Sequence, residues 1–562
     1  MNTYHSKFNI KSISKIEPNF KVLEEKFHTS AFDYNLFSIK KIQSYYPILE
    51  LFTTLEESNY NNTTLNHKYQ FLSLNSVFDT NENKEVTKDV FIKCSPLINP
   101  TKYLVGKYKQ DDTIYNLPSL NQDLNKKVNS KILDKNNISY IDNFFCFLCS
   151  KLLDQHHFLN GIDYYGSFLG IQEKFKTNIS DDLDFLYSYS YFSNNINKLY
   201  DVENLPFRNY FSDNSRSNRE KLTLTDAEEI DIPMDELEIN DLSQTTIESS
   251  NEKTLVYENS NIQNNSETDT DSETSSDNSE IVNSDDDDEE DDEEVYTSES
   301  DESDETEDSV DDNNDNINAY IYDYPIQFIC LEKCKGTFDD LLENQLINHV
   351  NAAAYLMQVI MTLIVLQKTF HFTHNDLHTN NIMYIETDIE FLYYQINNQI
   401  YKVPTHGKIF KLIDFGRAIY KYDTHLFCSD SFAPGDDAAT QYNFEPYYNE
   451  KKPRIEPNMS FDLCRLGCSI FDFIMNDINE SSLDPLQETI ARWCTDDNGK
   501  NVLYKKNGEE RYPDFKLYKM IARTVHNHTP QSQLDFPYFS QFLCKTNNKP
   551  TINIDSIPSY YK

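Results

Sequence analysis

The sequence predicts an α+β fold interrupted by a disordered acidic segment, and three observations predict it. Strand-like runs such as "KYQFLSL", "DVFIKC" and "GIDYYGSFLGI" crowd the stretch ahead of that segment. Two long apolar segments, 138–159 and about 346–370, have the spacing and length of buried helices. Between them, 222–318 holds 37 of the 93 acidic residues, with Lys253 its only base.

So much charge with so little apolar surface cannot recover its ordering entropy by burial, so 222–318 is expected to be disordered. Its Ser and Thr runs flanked by Asp and Glu suit acid-directed phosphorylation or docking of basic partners. An inert solvating spacer is the alternative. Most of the formal net charge of −43 belongs to this one segment. The chain lacks the clustered Lys and Arg that non-specific nucleic-acid binding needs, so no nucleic-acid partner is expected. The N-terminus has no signal-peptide core and no run approaches membrane-spanning length, so no membrane partner is expected. Ten scattered cysteines point to a reducing, intracellular compartment. Cys146/Cys149 and Cys464/Cys468 lie in apolar helical patterns, where thiols pack as small hydrophobes.

In chain order, residues 1–65 mix short apolar runs with "NYNNTTLN" and have no assigned role. Strand character begins near Lys68, breaks at the turn-rich "DTNENKEVTK", and returns at "DVFIKC". The helix over 138–159 and the strand in 161–171 follow, and 177–221 is less patterned and expected to be partly ordered. Order resumes at Pro325 with "IQFICLEKCKGTFDDLL", a strand, a connector and a helix. The helix ending near Phe370 runs into "FTHNDLHTNN". Two strand-like segments flanking Asn397-Asn398 form a hairpin, and "KIFKLIDFGRAI" follows.

Three readings compete for "FTHNDLHTNN". As a metal site, His371, His374 and His378 stand at helical spacings of three and four, but Asn and Thr disfavour continuing a helix there. As a solvated turn it has no chemistry. As a phosphoryl-transfer loop it needs an aspartate at the acceptor hydroxyl, then an amide and a second carboxylate for Mg²⁺. His374-x-Asp376-x-x-x-x-Asn381 supplies the first two, and Asp414-Phe415-Gly416 the third.

With both motifs in this order, the chain resembles the eukaryotic-type serine/threonine protein kinases, most of all the divergent ones of large DNA viruses. The resemblance implies a two-lobed fold, with a small β-rich N-lobe and a larger, mainly helical C-lobe. It implies an N-lobe beginning in 66–176, a hinge strand and hinge over 319–336, and a C-lobe over 337–562. Val90-Phe91-Ile92-Lys93 is similar to the strand whose lysine holds the ATP phosphates. Glu332 and Cys334 would offer backbone groups to adenine, and Asn381 and Asp414 would hold Mg²⁺. Asp376 would receive the acceptor proton, and His378 would help neutralise the γ-phosphate. His374, Phe415 and Gly416 would be structural. Asp462, opening "DLCRLG", would anchor the catalytic loop from below. ATP, Mg²⁺ and protein substrates are the implied cofactors and partners, in a host cytoplasm or packaged in a virion.

The chain also departs from the family. No glycine precedes Gly106, so no glycine-rich loop leads into Lys93. No glutamate lies between Gly106 and Leu169, which leaves Asp142 as the nearest partner for Lys93. His378 stands where protein kinases carry lysine, as in small-molecule kinases of the aminoglycoside and choline type, so that activity stays open beside a catalytically weak binding module. The 38 positions from Asp376 to Asp414 are roughly twice the usual spacing, an excess assigned to the hairpin. Glu445 and Glu456 are imperfect candidates for the missing A-P-E glutamate.

Overall fold

The computed structural model describes residues 8–27, 32–203, 317–475, 482–545 and 551–562. The disorder expected of 222–318 falls outside them, apart from the last two residues. The smaller lobe contains the strands β1 (Ile39–Gln43), β2 (Tyr69–Ser73), β3 (Ser76–Asp79), β4 (Lys84–Thr87), β5 (Val90–Pro96), β6 (Tyr164–Asn178), β7 (Tyr200–Val202) and β8 (Asn318–Glu332). β8 is the centre of an antiparallel sheet: β6 flanks it along one side, and β7 and β5 share the other. β1 pairs with the far side of β6, so the described residues among the first 65 contribute to this lobe rather than standing apart. Phe8, Ile48 and Leu49 are buried with them.

Two sequence expectations shift here. "DTNENKEVTK" is not only a turn, because β3 and β4 pair across it from Ser76↔Thr87 to Asp79↔Lys84. Its turn residues are so dense that they hide the short alternating strand on either side. The hinge strand begins at Asn318, well before Pro325. Ile317 and Asn318 are buried, and Asn318 pairs with Asn178 at the end of β6.

α1 (Ile138–His156) packs against this sheet. The Asn137 side chain accepts from Ser139 N–H at its start, and His157 ends it with a left-handed φ of 54°. The larger lobe is mainly helical, with α2 (Phe338–Glu343), α3 (Ala352–Phe370), α4 (Phe461–Ile474) and α5 (Lys516–Thr524) among its helices. Contrary to the sequence expectation, α3 is long and apolar enough to cross a membrane, but 89% of its apolar window is buried. It is apolar all round because protein surrounds it on every side. The two regions make the two-lobed, kinase-like arrangement.

Four strands of the larger lobe settle the long motif spacing: β9 (Ile382–Glu386), β10 (Phe391–Ile396), β11 (Gln399–Pro404) and β12 (Lys408–Leu412). β9 pairs directly with β12, Ile382 opposite Leu412, while β10 and β11 form a separate hairpin between them in sequence. The extra residues therefore loop out and leave Asn381 beside Ile413, whose N–H donates to the Asn381 carbonyl at 3.1 Å.

β7 and β8 likewise pair directly, Val202 opposite Ala319. The chain from 204 to 316 thus joins two adjacent antiparallel strands, and lengthening such a connection costs only roughly 0.6 kcal/mol per doubling. Replacing 222–316 with a short Gly/Ser linker is expected to leave the melting temperature and ATP binding unchanged. Insolubility or a large fall in melting temperature would make the segment part of the core.

Candidate active site

The site forms where β5, α1 and the two motif loops converge. Lys93 stands on β5 opposite Ile329 of β8. Its ammonium lies 3.1 Å from Asp142 Oδ2 and 2.9 Å from Asp414 Oδ1. Asp142, fully buried on α1, is the carboxylate that this helix brings to Lys93, and its other oxygen accepts Phe415 N–H at 2.9 Å. One carboxylate thus orients both the lysine and the backbone of the Asp-Phe-Gly loop. Phe415 packs edge-on against Phe145 of α1, which stacks on Phe372 at 4.5 Å. Gly416 lies against the start of α1, where an added Cβ would come 2.9 Å from Ile138.

α3 ends at Phe370, and His371 turns left-handed with φ 51°, so the three histidines do not share a helix face. No His/Cys/Asp/Glu cluster suited to a metal occurs among the described residues, and the zinc reading falls. His374 is buried, and its Nε2 lies 2.9 Å from the Ile413 carbonyl. Asp462, at the start of α4, accepts His374 N–H at 2.9 Å and Asn375 N–H at 2.9 Å, so the loop hangs from one buried carboxylate. Asn375 and Asp414 adopt left-handed φ values of 66° and 57°, a conformation that short polar side chains tolerate.

Asn381 Nδ2 donates to the Asp376 carbonyl at 2.9 Å and lies 3.0 Å from His378 Nε2. His378 Nε2 thus sits against the amide that Asn381 directs at the Asp376 carbonyl. His378 therefore braces Asn381 from one side. Asn381 Oδ1 and the Asp414 carboxylate are hard oxygen donors of the kind Mg²⁺ takes, and the residues present fit that ion. Burial alone would raise the Asp414 carboxyl, but the Lys93 charge holds it below the usual range.

Asp376 keeps 23% of its side chain exposed. Its Oδ1 accepts the Tyr518 hydroxyl at 2.7 Å, and Arg417 lies 3.5 Å from Oδ2. Burial would raise its carboxyl too, but Arg417, followed by His378, Arg465 and the Tyr518 hydroxyl, holds it well below the ordinary carboxylate range. Sequence reasoning missed Arg417, Arg465 and Tyr518. Arg417 adjoins Gly416 and could have been suspected; Tyr518 has no signal at all.

At the hinge, the Glu332 side chain accepts from Asp163 N–H at 2.7 Å and from Lys411 Nζ at 2.5 Å. It is thus turned inward, and the buried Lys411 ties the hinge to β12. Cys334 is buried at the lobe connection, and Lys335 N–H donates to Tyr384 on β9 at 2.8 Å. In the small lobe, the β2–β3 turn at Leu74 and Asn75 accepts from Val90 and Lys88 at the entry to β5, with no glycine in it. Glu445 and Glu456 both grip Arg454 at the surface, so neither anchors the core as the A-P-E glutamate would.

The segment after the Asp-Phe-Gly loop is fastened to the small lobe without phosphate. Lys131 lies 3.3 Å from Asp430 and 3.0 Å from Asp436, and Lys102 lies 2.5 Å from Asp436. Asp430 Oδ1 also accepts Ile138 N–H at the start of α1, at 2.8 Å.

No protein-family model matches the chain. Part of it is similar to the serine/threonine-protein kinase haspin of Mus musculus, 30% identical over 123 residues, 21% of this chain and 16% of that protein. The serine/threonine-protein kinase haspin of Bos taurus is 32% identical over 89 residues, 16% of this chain and 11% of that protein. The matches thus span less than a fifth of the length of either relative. Partial likeness to serine/threonine kinases and a two-lobed kinase-like fold together support a distant member of the protein-kinase superfamily.

Proposed function

We propose that the protein is an ATP-dependent kinase that transfers the γ-phosphate to serine or threonine hydroxyls of proteins. The observation that carries this reading is the single network joining Lys93, Asp142 and Asp414, with Asn381 and Asp376 linked beside it. In this reading Lys93 orients the phosphates, Asn381 and Asp414 hold Mg²⁺, and Asp376 receives the acceptor proton. Glu332 and Cys334 present backbone groups to adenine, and Asp462 supports the loop. The bound ion supplies charge neutralisation across the phosphates, and positioning supplies most of the rest. An origin among the divergent kinases of large DNA viruses, with work in the host cytoplasm, is part of the same proposal. The test is labelled ATP and Mg²⁺ with casein and myelin basic protein, followed by phosphoamino-acid analysis. Label on serine or threonine is expected. Transfer only to small aminoglycoside- or choline-like acceptors, or none at all, would overturn the reading.

Control follows from the same geometry. Protein kinases switched by activation-loop phosphate carry an arginine before the catalytic aspartate, but Asn375 is buried and donates to the Arg417 carbonyl at 2.9 Å. It cannot grip a phosphate with two charged bonds. Lys102 and Lys131 already pair with Asp430 and Asp436. Phosphatase-treated enzyme is therefore expected to keep full activity. Silencing by phosphatase, with recovery on rephosphorylation between Arg417 and Glu456, would refute this.

A further inference from the structure

We infer that Tyr518, directed by Arg465, is the positioning residue that aims the Asp376 carboxylate at the acceptor hydroxyl. The inference rests on the reading of Asp376 as the group that receives the acceptor proton. Tyr518 lies on α5, 142 positions from Asp376 in sequence, and is buried. Its hydroxyl donates to Asp376 Oδ1 at 2.7 Å and accepts from Arg465 Nε at 2.8 Å. A phenol has one proton, and the guanidinium only donates. The Arg465 bond therefore commits that proton to Asp376, and the chain of bonds runs one way.

The arrangement ties side chain and backbone to one support. Arg465 follows Asp462 by three residues on α4, nearly one helical turn, so both face the loop. Asp462 holds the loop backbone, while Arg465, through Tyr518, holds the carboxylate. The ring is held in turn: Arg465 lies 5.0 Å and Arg417 5.8 Å from its centroid, and Phe515 stacks on it at 5.4 Å. Arg417 meets the other carboxylate oxygen at the longer distance of 3.5 Å. A carboxylate pinned through one oxygen and still partly exposed can accept a substrate hydroxyl without first reorienting. Tyr518 does not touch the reacting atoms and acts only through Asp376.

The test is Tyr518→Phe, which removes one oxygen, assayed beside Asp376→Asn and the matched control Tyr504→Phe. Tyr504 also donates its hydroxyl to a carboxylate, Asp472, in the same lobe but outside this network. With casein as acceptor, kcat of Tyr518→Phe is expected to fall about ten- to a hundredfold, as misplacement of a catalytic group does. KM for ATP, ATP affinity and melting temperature should stay at wild-type values, and Tyr504→Phe should match wild type throughout. An unchanged kcat overturns the inference, and a raised kcat would mean that the hydroxyl obstructs the site. A kcat loss accompanied by lower melting temperature and ATP affinity would make Tyr518 a packing residue. If Asp376→Asn is inactive while Tyr518→Phe is normal, only this inference fails. If Asp376→Asn is as active as wild type, the reading beneath it fails.

Discussion

Asp376→Asn is expected to stop phosphate transfer while leaving ATP binding nearly intact. The substitution keeps the size of the side chain and an oxygen able to accept the Tyr518 hydroxyl, so the loop geometry should survive. What disappears is the negative charge proposed to take the acceptor proton, a contribution of about 10²–10⁴-fold in rate. The loop backbone hangs independently from Asp462, which protects the fold from the change. Turnover and ATP affinity measured on one preparation separate the two effects, and unchanged turnover would remove Asp376 from the chemistry. The wild-type pH profile carries a related expectation. Arg417 and its neighbours hold this carboxyl below its ordinary range, so it stays ionised and adds no acid limb between pH ~5 and ~8. The lowered carboxyl stabilises the fold above the ordinary carboxylate range, and that contribution is lost as the pH falls through and below it.

The second large effect is expected at Asp142, whose two oxygens have separable jobs. Asp142→Ala leaves the Phe415 N–H without its acceptor and Lys93 without one of its two carboxylates. An unsatisfied buried donor costs about 1–3 kcal/mol, so the melting temperature should fall along with ATP affinity and turnover. Asp142→Asn retains an oxygen for Phe415 and loses only the charge facing Lys93. It should be closer to wild type in stability and still impaired in ATP binding. Equal melting temperatures for Ala and wild type would contradict the account of the Phe415 bond. Wild-type ATP affinity in Asn would contradict the lysine pairing.

The local motifs were legible in the sequence because fixed spacing carries them: Asp376 to Asn381 and Asp414 to Gly416 each fall within one loop. Asp142 could be reached only by elimination, since no glutamate was near, and it lies against Lys93. The β10–β11 hairpin was legible from its Asn-Asn turn, and its looping out explains how Asp376 and Asp414 share a site across 38 positions. Local pattern could not reveal Tyr518 on a distant helix, or lysines 102 and 131 reaching acids after the Asp-Phe-Gly loop. The contribution of the first 65 residues was hidden for the same reason: β1 is short, and only its pairing with β6 gives it a place. His378 shows a different limit. Its position suggested a charge for phosphate, and the structure adds a contact with Asn381 that spacing alone does not show.

The central claim is that Lys93, Asn381 and Asp414 together hold the Mg²⁺–ATP complex. Calorimetric titration of ATP into the full-length protein, with and without Mg²⁺, tests it most directly when wild type is compared with Asp414→Asn. Wild type should bind ATP much more tightly with Mg²⁺ than without, and Asp414→Asn should lose most of that difference. Asp414 accepts from Lys93 at 2.9 Å and contributes the carboxylate oxygens suited to the ion. ATP binding that is equal with and without Mg²⁺ in wild type, or unaltered by Asp414→Asn, would contradict the account.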